Sequence, residues 1–404
     1  MNNPMSEKMI STNEMRLRMI DLEYKDLTEQ EFKVKLKQIY IEEYGKNIDV
    51  NIETFQSSSS ENLKIKDSGY DGTAVHFYSK KEGINELYVI SQGTQDMKDW
   101  EYNIKVMFAG LDYSQAKATN LFTEEVINRV ETKSELSVIG LSHSLAHNNN
   151  TTAYLVYDTF DKIYSVNGAQ TNYYQLFEMD SQFRVEILDK YNITTDPDAI
   201  YNLDPTQLEA FAKDYYADKA DNIHQLISLD DPLYAVSGTR GFFTLGEVEY
   251  IDTNPDYPGL RRVFDDIPDH VIQDFQALAI QYTTASQEGG LDAAIYDILG
   301  VDMELVRQFK DENVIKVYAT KQSEWDTMIR NLNDKVPELL SHIQTITSNA
   351  DVIFGRLEDA RYITVKQKEV LVTEITQIEK ALVAIQTTIE ENVEIRDNGK
   401  FLRN

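Results

Sequence analysis

Cysteine is absent from this chain of 404 residues, and its absence excludes disulfide bonds, thiolate metal sites and cysteine nucleophiles together. Long hydrophobic runs are also missing, since no apolar stretch approaches the roughly 20 residues that cross a bilayer. The first residues contain neither the apolar core nor the small-residue cleavage site of a Sec signal peptide. The sequence is therefore compatible with the cytoplasm or with export without a leader, and it does not choose between them.

Basic residues are scarce, because 39 lysines and arginines stand against 68 acidic residues and give a net charge of −29. Such a surface repels phosphate groups, which argues against DNA or RNA as a partner. The glycine-rich motifs that bind nucleotides, the P-loop and G-x-G-x-x-G, do not occur either. The sequence therefore implies no nucleic acid partner, no metal and no cofactor.

Short β-rich runs alternate with helical stretches in the first three quarters of the chain, which is typical of βαβ units and a parallel sheet. The runs are AVHFY (74–78), LYVIS (87–91), LSVIGLS (136–142), KIYSVNG (162–168) and HQLISL (224–229). We therefore predict an α/β domain with a mostly parallel sheet over residues 61–295. Residues 1–60 are predicted as an N-terminal helical segment, in which Thr28 and Glu31 have the spacing of a capping box. Residues 172–222 are predicted as an insertion of short helices, where a lid would lie.

The last hundred residues differ in character from the rest. Residues 301–404 hold 18 acids and 14 bases, so most of the negative charge belongs to residues 1–300. Two heptad stripes follow residue 330, and they predict a long helical, coiled-coil-like domain over 300–404. Either the stripes pack on each other as an αα-hairpin, or they dock separate helical partner chains. The stripes are Leu332, Val336, Leu339, Ile343, Ile346, Ala350, Ile353 and Leu357, then Leu371, Ile375, Ile378, Leu382, Ile385 and Ile389.

The segment SVIGLSHSLAHNNN (137–150) carries the strongest chemical signal. An apolar strand runs into a sharp turn at Ser144, and the small residues Ser142 and Ala146 flank it. A nucleophile elbow needs this arrangement, because a strained turn lifts the hydroxyl out of the sheet while small neighbours let strand and helix approach. The N–H of Leu145, at the helix start, then points at the developing oxyanion.

Three further segments accompany this turn. QGT (92–94) follows a strand, DDPL (230–233) follows another, and HVIQDF (270–275) opens an apolar-periodic stretch. The order Ser, Asp, His along the chain is that of α/β-hydrolases. Together with SHSLA (142–146), these segments resemble the class 3 lipase family over roughly residues 65–280. The chain departs from that family in both elbow glycines, in Gln92 where arginine is usual, and in the long separation between serine and acid.

The resemblance implies a role for each residue. It makes Ser144 the nucleophile, His270 the general base and Asp231 the acid that orients the imidazole, with Asp230 as the rival acid. Thr94 and Leu145 would supply the two oxyanion N–H groups. The implied activity is serine lipase or phospholipase hydrolysis of acyl esters. The alternatives are an intracellular or surface carboxylesterase with an oligomerising tail, and a catalytically silent scaffold with the lipase fold.

The order of the two domains carries a second resemblance. A lipase-like domain followed by a helical tail related to the LXG domain looks like the lipase toxins that Gram-positive bacteria export by type VII secretion. The resemblance implies a membrane lipid as substrate, small helical secretion partners on the tail and an immunity protein. It also implies secretion without a Sec signal peptide.

Overall fold

The computed structural model describes residues 7–93, 113–131, 135–193, 197–231, 240–256, 267–311, 320–359 and 363–401, together with residues 234, 237, 238 and 361. The chain divides into two compact units, Met1–Arg261 and Arg262–Asn404. The first unit has the α/β character predicted from the alternating pattern, and the second is helical in its described part.

A seven-stranded sheet forms the centre of the first unit. Its strands are β1 (Asn51–Gln56), β2 (Gly72–Ser79), β3 (Ile84–Ser91), β4 (Ser137–Ser144), β5 (Lys162–Gly168), β7 (Ile223–Ser228) and β9 (Glu247–Ile251), while β6 (Thr171–Asn172) and β8 (Phe242–Phe243) form a separate pair. In space the seven strands follow the order β1-β2-β3-β4-β5-β7-β9. The first three strands pair antiparallel, and every later pair in this sheet is parallel. The mostly parallel sheet is therefore confirmed, and β4 lies at its middle with its carboxyl end beside those of its parallel neighbours.

Two N-terminal helices cover one face of the sheet. Helix α1 (Asn13–Glu23) and helix α2 (Glu29–Tyr44) bury their apolar residues against β2, β3 and β4 in one hydrophobic cluster. The capping box at the start of α2 is formed, because the Thr28 side chain accepts from the Glu31 N–H and the Glu31 carboxylate accepts from the Thr28 N–H. The N-terminal segment is thus part of the first unit's core.

The opposite face of the sheet is covered by the connections between its strands. They are the helices α3 (Leu63–Lys66), α4 (Ser114–Arg129), α5 (Leu145–Tyr157), α6 (Tyr173–Met179), α7 (Ser181–Tyr191) and α8 (Pro205–Tyr215). The described part of residues 173–222 forms short helices, and its large apolar side chains join the main core cluster. It therefore packs as the crossover between β5 and β7.

The second unit contains five helices among its described residues. They are α9 (Asp269–Leu299), α10 (Met303–Asp311), α11 (Gln322–Ser348), α12 (Ala350–Asp359) and α13 (Val365–Phe401). Helix α9 extends to Leu299 and packs on α11, and the division between the units falls after residue 261 and not near residue 300. Helices α11 and α12 both pack on α13, so the two predicted stripes form a hairpin. No helix in the described ranges is long and apolar enough to span a membrane.

Candidate active site

Ser144 occupies the turn between β4 and α5, where the sequence predicted a nucleophile. Its backbone angles are φ 59° and ψ −137°, a combination that side chains rarely adopt because Cβ crowds the backbone. The strand register shifts between His143 and Ser144, so the serine departs from the pleat of the sheet. Ser144 remains partly exposed at the carboxyl edge of the central strand. Strain of this kind, at the first residue before a helix, is the geometry that a nucleophile elbow requires.

Small residues bring the helix close to the sheet at this turn. Ser142 and Ala146, which replace the two glycines of the family pattern, are both fully buried. A Cβ at Gly140 would lie 3.2 Å from Asn150 Nδ2 on α5. A Cβ at Gly168, at the end of β5, would overlap the side chain of His147. Close packing between α5 and its two strands thus depends on Gly140 and Gly168 as well as on the positions beside the serine.

The turn after β3 approaches Ser144 directly. A Cβ at Gly93 would lie 2.8 Å from Ser144 Cβ and 2.8 Å from the carbonyl oxygen of His143, so only glycine fits there. Leu145 is the first residue of α5, and its N–H has no acceptor within the helix. One predicted oxyanion donor is therefore beside the serine. The other, Thr94, follows Gly93 but lies outside the described residues, as do Asp99 and Trp100.

Tyr24, the residue that caps the C-terminus of α1, connects the Gly93 turn to the end of β4. The Tyr24 hydroxyl accepts from the Gly93 N–H at 3.0 Å and bonds His143 Nδ1 at 2.8 Å. Because that hydroxyl accepts from Gly93, its own proton can be donated to His143. Burial lowers the pKa of His143 and raises the pKa of Tyr24, which keeps both groups neutral. Tyr24 thereby holds the Gly93 turn on the elbow. Tyr24 could not be predicted from the motifs, because it lies outside the segment that resembles lipases.

The two candidate acids follow β7 at the same edge of the sheet as Ser144, separated from β4 by one strand. The Ser228 N–H donates to Asn167 Oδ1 at 2.8 Å, which ties the end of β7 to the end of β5. Asp231 Oδ1 accepts from the Tyr234 N–H at 3.1 Å. Asp230 Oδ2 accepts from the Thr253 hydroxyl at 2.8 Å. Each acid is thus fixed by a neighbour, and these contacts do not distinguish Asp230 from Asp231.

His270 belongs to the second unit. It is the second residue of α9 and is exposed. Exposure at a helix N-terminus leaves the imidazole accessible to solvent. The structure of the first unit therefore places Ser144, Leu145 and the acid pair at one sheet edge, while His270 stays a prediction from the sequence motif.

Helix α5 is buried along almost its whole length although its sequence reads HNNNTT at 147–152. Its polar side chains bond to neighbouring elements: Asn148 Nδ2 donates to the Gln170 carbonyl at 2.9 Å, and Thr152 Oγ1 donates to Gln175 Oε1 at 3.2 Å. Burial lowers the pKa of His147 to about 4, so this imidazole is neutral and packed. In the described ranges, no three His, Asp or Glu side chains are grouped to hold a metal ion.

The protein is thus an α/β protein with a serine on a strained turn between the central strand and the following helix. Residues 14–252 match the family model of a domain of unknown function, DUF6792, and since the match covers more than half of the chain, the protein belongs to the DUF6792 family. The uncharacterized protein YvcB of Bacillus subtilis (strain 168) is 31% identical over 427 residues, which cover 99% of this chain and 67% of YvcB. The family match includes Tyr24, Ser144 and Asp231, and it ends before His270.

Proposed function

We propose that the protein is a serine carboxylic-ester hydrolase with Ser144 as its nucleophile. The observation that carries the proposal is the strained backbone of Ser144, held at the carboxyl end of the central strand with the Gly93 turn packed against its Cβ. Backbone strain at a partly exposed serine lowers the stability of the fold. In return it orients an exposed hydroxyl beside a helix N-terminus, which is the arrangement that acyl transfer requires.

The proposed chemistry follows from these positions. The Ser144 hydroxyl attacks the ester carbonyl carbon while its proton passes to the general base, His270 in this proposal. The N–H groups of Leu145 and Thr94 stabilise the oxyanion, and the leaving alcohol takes the proton when the tetrahedral intermediate collapses. Water then attacks the acyl-enzyme by the reverse sequence. Asp231 orients the imidazole and stabilises its charged form.

The substrate and setting of the proposal come from the resemblance to class 3 lipases and to type VII lipase toxins. The substrate is an acyl ester of a membrane phospholipid, hydrolysed by a lipase-type α/β-hydrolase domain. The helical second unit is an LXG-like targeting domain that binds small helical partners for export without a Sec leader, and an immunity protein protects the producer. What supports this part is the hairpin of α11, α12 and α13, whose last helix keeps apolar side chains exposed.

Fatty-acid release from mixed phospholipid vesicles tests the activity. Ser144→Ala is expected to lower the rate by several orders of magnitude, on the order of 10⁶ where a triad nucleophile has been removed. Ser165→Ala is the matched control, because Ser165 is buried on the neighbouring strand and its Oγ has no hydrogen-bond partner among the described residues. Labelling of the wild type, but not of Ser144→Ala, by a fluorophosphonate would identify the nucleophile independently. Retention of most activity in Ser144→Ala would reject the proposal.

A further inference from the structure

A polar cavity of about 280 Å³ opens at the C-terminal end of α1, close to the turn that contacts Ser144. Its charged lining is entirely acidic, since no lysine or arginine of the described ranges lines it. The polar residues of the lining include Glu23, Asp26, Thr28, Gln56, Asp71 and Thr73. Helix α1 has no basic residue in its last turn, so the partial negative charge of its C-terminus adds to that of the carboxylates. The cavity is therefore suited to a cation.

Glu23 is the residue that singles out this cavity from other acidic patches. It is the last residue of α1 and only 8% exposed. Its Oε1 accepts from the Thr73 hydroxyl at 3.1 Å, but its buried Oε2 has no hydrogen-bond partner among the described residues. A buried acceptor without a donor is unfavourable in the folded state. Burial, with a smaller contribution from Asp71, raises the pKa of Glu23 to about 8 against the opposing hydrogen bond from Thr73, so the carboxyl holds a proton at neutral pH without a ligand. A cation bound at this carboxyl would favour its charged form and release that proton to solvent.

The second carboxylate of the cavity is held in place. Asp71 Oδ1 accepts from the Ser57 hydroxyl at 2.8 Å and from the Gly72 N–H at 2.9 Å. These bonds fix the side chain before any ligand arrives, which lowers the ordering cost of binding. Since the described residues group no three ligands for a metal ion, the acceptors suit an organic cation that donates hydrogen bonds.

The cavity lies at the same sheet edge as Ser144. Gly72 pairs with Ser91, the last residue of β3, and β3 runs parallel to β4. The carbonyl oxygen of Asp71 accepts from the Gln92 N–H at 2.9 Å, directly before Gly93. Tyr24, whose hydroxyl bonds both Gly93 and His143, follows Glu23 in the chain. A ligand group in the cavity would thus border the turn that packs on the serine.

We propose that this cavity binds the primary ammonium group of a phospholipid head group, with Glu23 and Asp71 as its acceptors. The proposal rests on the proposed function, because it takes the lipid to be the substrate. A primary ammonium carries three N–H donors, one of which satisfies the unpaired Oε2. A quaternary ammonium carries none and is usually bound by several aromatic rings, whereas Phe32 is the one aromatic residue of the described lining.

The test uses the full chain carrying Ser144→Ala, so that no lipid is consumed. Binding is measured by flotation with neutral vesicles, of phosphatidylcholine alone or mixed equally with phosphatidylethanolamine, because the two head groups differ in N–H donors but not in charge. We expect at least tenfold tighter binding to the mixed vesicles. Adding Glu23→Gln should bring the ratio close to one, and Asp71→Asn, which removes the charge of the second acceptor, should reduce it. Glu82→Gln, the same change of charge in the exposed turn at the opposite edge, should leave it unchanged.

A ratio that Glu23→Gln leaves intact would overturn the proposal. Equal binding to both kinds of vesicle, with free ethanolamine still binding in a Glu23-dependent manner, would overturn the assignment to a lipid head group. Because the binding assay needs no hydrolysis, a wild type that releases no fatty acid would reject the proposed function and leave the binding ratio as separate support for the cavity.

Discussion

Ser144 holds a backbone conformation that costs free energy in the folded state. A side chain at φ 59° and ψ −137° is disfavoured by about 1–3 kcal/mol, and the fold must provide that energy elsewhere. Glycine has no Cβ and adopts such angles freely, but it loses about 0.4–1 kcal/mol through the greater entropy of the unfolded chain. The strain at this position can therefore be measured as a difference in the free energy of unfolding, without an assay of catalysis.

We predict that Ser144→Gly is more stable than Ser144→Ala by about 1 kcal/mol, because alanine keeps the Cβ that causes the strain and glycine removes it. Both variants lack the hydroxyl, so both should be inactive. Urea denaturation of the two variants, with circular dichroism as the readout, measures the difference in the free energy of unfolding. If the alanine variant is equally or more stable, the serine is not strained and the structural basis for the elbow is lost.

Glu23 makes the stability of the first unit depend on pH. Its pKa is about 8 in the folded protein against the ordinary glutamate value of 4.5, so the folded state holds the proton more tightly than the unfolded state. The stabilisation from the protonated carboxyl is therefore complete below about pH 4.5, decreases as the pH rises, and is lost above about pH 8. Each unit of pKa difference corresponds to about 1.4 kcal/mol.

We predict that Glu23→Gln, which keeps the shape but does not titrate, removes part of the pH dependence of stability. The difference in the free energy of unfolding between wild type and variant should shift by a few kcal/mol between about pH 5 and pH 8, with the wild type losing stability as the pH rises. Urea denaturation at several pH values measures it, with the exposed Glu82→Gln as control. Parallel pH profiles for wild type and Glu23→Gln would show that Glu23 ionises normally.

At the scale of elements, the contact between β5 and α5 depends on one glycine. A Cβ at Gly168 would overlap His147, which is buried and fixed between the helix and the sheet. We predict that Gly168→Ala lowers the free energy of unfolding by about 1–3 kcal/mol, the usual cost of overpacking a core. Gly355→Ala is the control, because the nearest atom to its added Cβ would be the flexible Lys368 Nζ at 3.6 Å; helix α12 should then gain about 0.5–1 kcal/mol. Equal thermal shifts for the two variants would contradict this packing.

The sequence pattern was sufficient for the buried strands, because both faces of a central strand are covered and its residues read as continuous apolar runs. It missed β1 and β9, which lie at the two ends of the sheet. β1 reads NIETFQ and β9 reads EVEYI, and their alternating polar residues face solvent or the sheet edge. The burial of helix α5 was equally hard to predict, since a run of asparagines and threonines is typical of exposed segments. Its partners are brought together only by the fold.

The sharp turn at Ser144 could be predicted because its signal is local: a strand, a small residue on each side and a serine, all within a short stretch of chain. The Tyr24 contact and the cavity at Glu23 could not, since they join α1 to strands distant in the chain. Neither residue has a neighbour in sequence that indicates chemistry. Long-range pairing of polar groups, unlike apolar periodicity, leaves no pattern in a single sequence.

At the scale of the whole molecule, the second unit divides the predicted stripes into buried and exposed residues. Leu382 and Ile389 are buried, so the hairpin uses them for its own packing. Ile378 and Ile385, one heptad apart on the same helix, are 52% and 40% exposed. The hairpin and the docking alternatives are thus not exclusive, because one edge of the stripe packs within the chain and the other faces solvent.

Replacing Ile378 and Ile385 by Asp should abolish binding of small helical partners, since two charges would have to be buried at the docking seam. The hairpin should persist, because neither side chain is part of its buried core. Fatty-acid release should be unaffected, because neither residue belongs to the proposed catalytic set. Thr373→Asp with Thr387→Asp is the matched control, as both threonines are exposed on the same helix and receive the same charges. Co-purification of the full chain with the products of its neighbouring genes measures binding, and circular dichroism checks the helix content. If the isoleucine variant still binds partners at wild-type helix content, this exposed edge is not the docking surface. If both double variants lose binding, the association depends on the charge of α13 and not on its apolar edge.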